Sequence, residues 1–552
     1  MSNSKQKGSF LVQGSILAIA SILSRIIGLI YRIPMTYIIG DIGNNYYSTA
    51  YEVYNIMLLI SCYSIPTAVS KLVSGYRAKG DMRTVDRIFK CALLISGSFG
   101  TLAFCVVFFA APYITASLQT PLSIYALLVL APSLIIFSIM GVLRGLFQGI
   151  GSMVPTAFSQ ILEQIVNAIV SIVAAYFLFR RGLKIGAVLG NAEEYSAAMG
   201  AAGGTLGSTL GAFFSLLFVL GIYLLFRPGL KRLKNKQPFP ATESVLSVSK
   251  LILVTIVPVL LSTTIYNISG IVDQFIFKNL ATIQGYSTAD IDVWWGVFSG
   301  KYKVIINVPL AIASAMAASA VPELAAAFAS KDLKRARYKT HQGIRFVMVI
   351  AIPCVVGMAV LASPIMQLLF HDSSKLAANM LVFGSVSIAF YSLSTLTNGI
   401  LQGVNRLMEP VKNAIIALFL HIVFLIAMML GLKQHIYAVV YANCFYAFLM
   451  CILNGYSIRK YLNYRQEVFR TFVAPSISAV FMGLSVYLVY NGGMKLWKFN
   501  SIWCILSIVV GMFVYFVFLL LLRGVSREEL YKFPKGHLLV KFGDKLHLLR
   551  RD

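Results

Sequence analysis

The chain has 552 residues, of which 58% are hydrophobic and only 12% charged, with a mean hydropathy of +0.79. That composition excludes a soluble globular domain or a disordered chain and marks a polytopic membrane protein. The net charge of +27, from 47 Lys and Arg against 20 Asp and Glu, would suit nucleic acid, but the basic residues gather in short loops between apolar runs, so no nucleic acid is expected as a partner.

A membrane core about 30 Å thick needs about 20 mostly apolar residues per helix. In chain order the expected spans are 12–33, 47–75, 88–113, 122–148, 154–179, 197–226, 251–280, 293–320, 345–370, 380–403, 411–431, 435–455, 471–490 and 501–522. The clearest are uncharged throughout: residues 91–143 hold no Asp, Glu, Lys or Arg, nor do Phe346–Phe370 or Phe499–Leu522. Lys5 and Lys7 precede the first span without a small-residue cleavage site after it, so the span is expected to be retained.

The second half repeats the first at a spacing of about 250 residues. "SRIIGLIYR" around Gly28 falls on "YNISGIVDQ" around Gly270, Ala68–Arg83 falls on Ala320–Arg335, and "RGLFQG" (Arg144–Gly149) falls on "NGILQG" (Asn398–Gly403). Six spans per lobe is an even number, so both lobes start on the same side and the repeat is parallel. The expected fold is an all-α integral membrane protein of fourteen transmembrane helices. It comprises an N-lobe over 1–228 (helices 1–6), a basic linker over 229–250, a C-lobe over 251–458 (helices 7–12), helices 13 and 14 over 459–522, and a basic tail over 523–552.

Most Lys and Arg fall in loops on the N-terminal side, chiefly 77–90, 227–250, 331–339 and the tail. By the positive-inside rule that side is cytoplasmic, with both termini. The tail is expected either along the membrane surface or disordered. The seven cysteines lie in or beside spans without metal-ligand spacing, so neither a metal nor a cofactor is expected. No Walker A, H-E-x-x-H or G-x-S-x-G motif has supporting context, and the chain is not expected to be an enzyme.

Charges inside spans cost several kcal/mol, roughly 2.5–3.5 by insertion, and normally face protein or water. The basic ones are Arg25, Arg32, Lys71, Arg144, Lys301, Lys303 and Arg345; the acidic ones are Glu52, Glu163 and Asp273. Lys71 and Arg345 lie near cytoplasmic span ends, where snorkelling suffices. Arg144 and Glu163 are expected to pair across spans 4 and 5. Arg25 lies midway along span 1 and Arg32 two turns further on the same face. With Lys301 and Lys303 these are candidate binders of an anionic group, since Arg offers a planar fork of donors to phosphate. Glu52 and Asp273 are candidate gate partners, Glu52 toward Lys301 or Lys303 and Asp273 toward Arg32. The two roles are compatible.

The six-plus-six-plus-two arrangement, the basic first span "LSRIIGLIYRIP" and the "GxxQG" after spans 4 and 10 resemble the multidrug/oligosaccharidyl-lipid/polysaccharide exporter superfamily. Within it the likeness is nearest to MurJ-type lipid II flippases of Gram-positive bacteria and their sporulation relatives. The resemblance implies a MATE-like fold whose central cavity takes up the pyrophosphate and sugars of an undecaprenyl-linked precursor by alternating access, with a groove for the lipid tail at the last two helices. Expected partners are then the lipid-linked pyrophosphate oligosaccharide, membrane lipids and the cell-wall synthesis machinery, with the chain itself a monomer in the bacterial cell membrane. The family's functional span-1 arginine in "SR-x-x-G" matches Arg25 in Ser24–Gly28. Its second basic residue matches Arg32 shifted by one, and its span-8 basic residue matches Lys303 or Lys301 ahead of Pro309 approximately. The late span-2 basic residue has no clean match, Lys71 being lower. Asp273 resembles the acid of a sodium site, but span 11 carries His421 where an acidic partner is needed. Alternatives are a flippase for another lipid-linked polysaccharide repeat and a cation-coupled drug exporter, which should carry more acid than base. A membrane glycosyl- or acyltransferase should show a catalytic loop.

Overall fold

A computed structural model describes residues 20–235, 237, 239–329, 332–525, 537 and 540. Residues 12–19 of the expected first span, Lys5 and Lys7, and nearly all of the 523–552 tail lie outside the described residues. Every regular element among the described residues is helical. An apolar chain in lipid has to satisfy its backbone groups within each segment, and a helix does so.

Helix α1 (Ala20–Ile30) runs into α2 (Arg32–Leu58), with backbone bonds from Tyr31 N to Ile27 O and from Met35 N to Tyr31 O, both 3.2 Å, carrying the helix through the join. α2 bends at Gly40, where φ is 68° and ψ −173°, a conformation glycine adopts without a Cβ penalty. The loop expected over 34–46 is therefore replaced by a single glycine. A wider π-helical turn over Leu59–Tyr63 leads into α3 (Ile65–Ala78). Pro66 just beyond has no N–H to return to the Cys62 carbonyl, and the helix widens where that bond is lost.

Next come α4 (Met82–Ser117), α5 (Ile124–Gly149), α6 (Val154–Leu189) and α7 (Ala192–Asn235). The small-residue run Gly200–Gly211 is what lets α7 lie on α6. A Cβ at Gly203 would strike the Ala174 backbone, one at Gly207 the Asn167 carbonyl, and one at Gly211 the Glu163 carbonyl. Small residues four apart allow this close approach, in membranes as elsewhere. α8 (Val245–Asn267), α9 (Ser269–Ile283) and α10 (Thr288–Val297) follow.

The chain forms two compact units, residues 1–300 and 301–552. In the first, α8 packs on α3 and α4, and α9 and α10 pack on α2. Its core gathers Tyr47, Tyr54, Leu127 and Leu130 in one cluster and Val69, Ile88, Leu143 and Ile252 in another. The second unit holds α11 (Lys303–Ala329), α12 (Leu333–Val360), α13 (Ala362–Phe370), α14 (Lys375–Gly384), α15 (Val386–Gly403), α16 (Met408–Leu432), α17 (His435–Leu462), α18 (Ala474–Leu496) and α19 (Asn500–Leu521). Its core runs through Leu324, Val347, Leu396, Leu401, Ala479 and Cys504.

Ten helical segments among the described residues are each long and apolar enough to cross a bilayer, and α14 with α15, bent by 44°, make one more when taken together. The expected spans 1, 7 and 8 correspond to α1, to α8 with α9, and to α10 with α11, which are short or interrupted.

The basic segment after α7 is tied to the start of α4. Asp81 caps α4 through Thr84 N at 2.8 Å and also accepts from Gln237 Nε2 at 3.1 Å, Thr242 N at 3.0 Å and Thr242 Oγ1 at 2.6 Å. Lys234 reaches Asp86 at 2.7 Å, and Tyr76 donates to Glu243 at 3.0 Å. Burial alone would raise the Asp81 carboxyl, but the hydrogen bonds from Thr242 and Thr84 outweigh it and hold the group well below the ordinary carboxylate value. A carboxylate with a lowered folded value contributes its stability above the ordinary value and loses it only as pH falls below that. Protection of the Thr242 amide, corrected for intrinsic exchange, is therefore expected to stay level from pH 8 to pH 5. Asp81→Ala should speed that exchange by about tenfold or more, the weight of a hydrogen bond to a charged group. Hydrogen exchange with mass spectrometry measures both.

Candidate functional site

Seven of the ten candidate charges lie in the first unit. Arg25 sits on α1, which meets α6 at two points: Ser21 Oγ donates to Gln160 Oε1 at 3.3 Å, and Gly28 leaves room for Gln164 Oε1, 3.5 Å from where its Cβ would be. Arg25 is exposed, and no described residue forms a hydrogen bond or ion pair with it. In a segment this apolar, that leaves its charge unanswered by any described residue.

Arg32 is held differently. Its guanidinium lies over the ring of Tyr47, 4.7 Å from the centroid, and near that of Tyr51 at 5.9 Å. The tyrosines are fixed in turn. Tyr31 and Tyr47 hydroxyls are 3.4 Å apart, Asn167 Nδ2 donates to Tyr31 at 3.4 Å, and the Tyr51 hydroxyl lies 3.3 Å from Ser208. Ser208 and Ser171 both donate to Asn167 Oδ1, at 3.3 and 2.9 Å. Stacking occupies the flat face of a guanidinium and leaves its in-plane N–H groups for other partners, of which the Tyr31 hydroxyl is one. The bridge expected between Asp273 and Arg32 is not formed; Asp273 is buried on α9.

α2 and α9 lie antiparallel, joined by rungs of polar contacts. The Glu52 carboxylate lies against Gly270, where any Cβ would collide with it. One turn along, Gln274 Nε2 donates to Thr49 Oγ1; a further turn along, Lys278 Nζ donates to Asn45 Oδ1 at 2.7 Å and pairs with Asp292 of α10 at 3.0 Å. Lys278 is fully buried. α10 closes on the same stretch, with Gly296 against the Asp41 carbonyl and Gly300 against the Asn44 side chain. Of these residues the sequence singled out only Glu52, as a candidate charge, and Gly270, as the centre of a repeated motif. The available signal is polar residues at 45, 49 and 52 on α2 opposite 270, 274 and 278 on α9, each set at helical spacing.

In the second unit Lys301 lies in a π-helical turn, Phe298–Tyr302, and pairs with Asp372 at 2.6 Å. Burial tends to raise the Asp372 carboxyl, but the Lys301 ammonium and Ser374 hold it below its ordinary value. Lys303, at the start of α11, is half-buried. Lys71 is exposed on α3. Arg345 corrects its expected snorkelling role: it is buried and donates to the Gly524 carbonyl, through Nη2 at 2.6 Å and Nε at 3.2 Å, just past the end of α19. A cation there complements the helix's negative end. His421, in place of an acid, places Nδ1 2.8 Å from the Ala442 carbonyl and packs on Tyr446; it ties α16 to α17.

Arg144 bridges α5, α6 and α7, donating to Ser159 at 2.9 Å, Glu163 at 2.9 Å and Ser215 at 3.0 Å. The repeat places Asn398 on Arg144 and Asn413 on Ser159, and the same three-helix junction recurs in the second unit without charge. Asn413 donates to Asn454 at 2.9 Å and Ser457 at 3.2 Å, and Asn454 donates to Asn398 at 2.8 Å and Thr397 at 3.1 Å.

Among known proteins, the family model "Polysaccharide biosynthesis protein" matches residues 11–328, and the MatE model matches residues 302–426. The chain is 27% identical over 515 residues to the lipid II flippase MurJ of Bacillus subtilis (strain 168), covering 89% of each protein. It is 26% identical to stage V sporulation protein B of the same organism, covering 74% of this chain and 76% of that protein. Its fold is similar to a solved structure of lipid II flippase MurJ in an inward closed conformation, with a TM-score of 0.56 at 15% identity over 91% of this chain and 97% of that one.

Proposed function

We propose that this chain, which belongs to the polysaccharide biosynthesis protein family, is a flippase that moves a lipid-linked saccharide across the bacterial cytoplasmic membrane. The substrate we assign is the undecaprenyl-pyrophosphate-linked peptidoglycan precursor, lipid II. The observation that carries this reading is Arg25, a guanidinium midway along an apolar span with no partner among the described residues. A pyrophosphate is the group that repays such an arrangement, because it meets the guanidinium fork with two oxygens. Arg32, two turns further on, keeps its donors in plane above its tyrosines. Lys301 and Lys303 add cationic charge in this reading, and Glu52 and Asp273 serve the gate.

The lobes are those of the sequence repeat, 1–228 and 251–458, both termini are cytoplasmic, and the protein is a monomer serving the cell-wall synthesis machinery. Alternating access exposes the arginines first to the cytoplasmic leaflet and then to the outer one. The polar rungs from α9 to α2 close the outer side, which is where Asp41 lies if the termini are inside.

A second reading, favoured by the likeness to stage V sporulation protein B, is a flippase for another lipid-linked glycan. Depleting the protein in its own host and assaying lipid-linked precursors on each membrane face separates the two. Lipid II should accumulate on the inner face as it disappears from the outer one. Normal lipid II with a different stranded glycan would transfer the assignment to the second reading, and no stranded precursor would overturn both.

A further inference from the structure

A cavity of about 430 Å³ opens in the second unit beneath the end of α17, within the roughly 300–1,000 Å³ range of small-molecule sites. Neutral polar groups, Thr397, Tyr464 and Gln466, line part of it, and two further sides stand out. Ile344, Leu393, Ile458 and Phe472 make an apolar side, and Arg459 and Arg465 a cationic one. Asn463, at φ 49°, ends α17, and 464–468 leads through a π-helical turn, Phe469–Val473, into α18.

What distinguishes the two arginines is that no described residue answers them. No described residue forms an ion pair or hydrogen bond with Arg459 or Arg465. Nearby acid is already engaged: Glu467 lies 3.7 Å from His341 Nε2 and caps Arg470 N at 3.2 Å. Other basic groups of the same level are also engaged. Arg337 donates to the Leu462 carbonyl at 2.6 Å, and Arg406 and Lys460 lie over the Tyr461 ring. The carbonyl end of α17 works against an anion here, so a negatively charged occupant needs both arginines.

We propose that this cavity binds the headgroup of an anionic phospholipid from the adjacent leaflet. The phosphate would lie between Arg459 and Arg465, and the first carbons of the acyl chains would run along Leu393 and Phe472. Charge and apolar wall side by side are what a phospholipid offers at the depth where a span ends. The site is separate from Arg25 and does not depend on which glycan the protein carries.

The test uses the full chain in nanodiscs of phosphatidylcholine with increasing phosphatidylglycerol, read by thermal melting and by native mass spectrometry of retained lipid. Wild type should gain melting temperature and retain phosphatidylglycerol in preference to phosphatidylcholine. In R459Q/R465Q the apparent affinity should fall by about tenfold or more, since each basic side chain at an anionic surface carries a sizeable share. Melting in pure phosphatidylcholine should match wild type, which establishes that the variant is folded. If the double variant does not fold, Arg465→Gln alone, in the extended segment, should show the smaller loss. An unchanged phosphatidylglycerol response in the variants, or an equal response to phosphatidylcholine in wild type, would overturn the proposal. So would displacement of phosphatidylglycerol by undecaprenyl phosphate at low occupancy, because the cavity would then belong to the carrier lipid.

Discussion

Replacing Arg25 with alanine should abolish complementation of a flippase-deficient strain while leaving protein level and membrane insertion as in wild type. The expectation of intact folding follows from the structure. Arg25 is exposed on α1 and supports no described neighbour, so truncating it strands no partner and opens no void in a core. The expectation of lost function follows from chemistry. A lysine at the same depth supplies charge without the two parallel donors, so Arg25→Lys should restore little. Lys71→Ala, an exposed position near a helix end, should complement normally. Normal complementation by Arg25→Ala would remove Arg25 from the substrate contacts, and loss of the protein from the membrane would give it a structural role instead.

Arg144→Ala should have the largest effect on stability. Arg144 and Glu163 are both largely buried, with side chains 11% and 14% exposed, and the guanidinium also satisfies Ser159 and Ser215. Removing one partner of a buried pair leaves an uncompensated charge and costs about 3–5 kcal/mol. Replacing both with apolar residues of similar volume removes the charge problem altogether. The melting temperature in detergent should therefore drop sharply for Arg144→Ala and for Glu163→Ala, and recover most of the way in Arg144→Met/Glu163→Leu. If the double variant melts as low as the singles, the junction is held by shape rather than by the ion pair.

Much of the membrane architecture was visible in the sequence because the hydrocarbon requirement is so blunt. Residues 91–143 and 499–522 had little choice but to be helices. The Arg144–Glu163 contact was visible for the same reason, since two opposite charges low in adjacent apolar spans have few other solutions. What escaped was set by partners distant in the chain. Lys278 lies near the end of an expected span, where a long basic side chain is normally explained by snorkelling, yet it is buried against Asn45 and Asp292. Arg345 misled in the same way, because its acceptor, the Gly524 carbonyl, is a backbone atom and leaves no trace in side-chain patterns. Nothing in the sequence marks the tyrosines around Arg32. Only the placement of Asn167 and Ser208 on other helices turns them into a holder for a cation. Gly40 escaped because one glycine at positive φ can bend a helix where the sequence suggests a dozen residues of loop.

The paired three-helix junctions bear on how the two halves could have diverged and what each tolerates now. A neutral network of asparagines and serines can be altered one member at a time, because a lost amide partner leaves a dipole that neighbouring hydroxyls can still meet. An arginine–glutamate junction has no such intermediate: any single step strands a full charge, so it changes in concert or not at all. The first half should thus be the conservative half at that junction and the second half the permissive one, although the sequence motifs repeat. Saturation mutagenesis would show the imbalance as a narrow set of viable residues at 144 and 163 beside a broad set at 398 and 413.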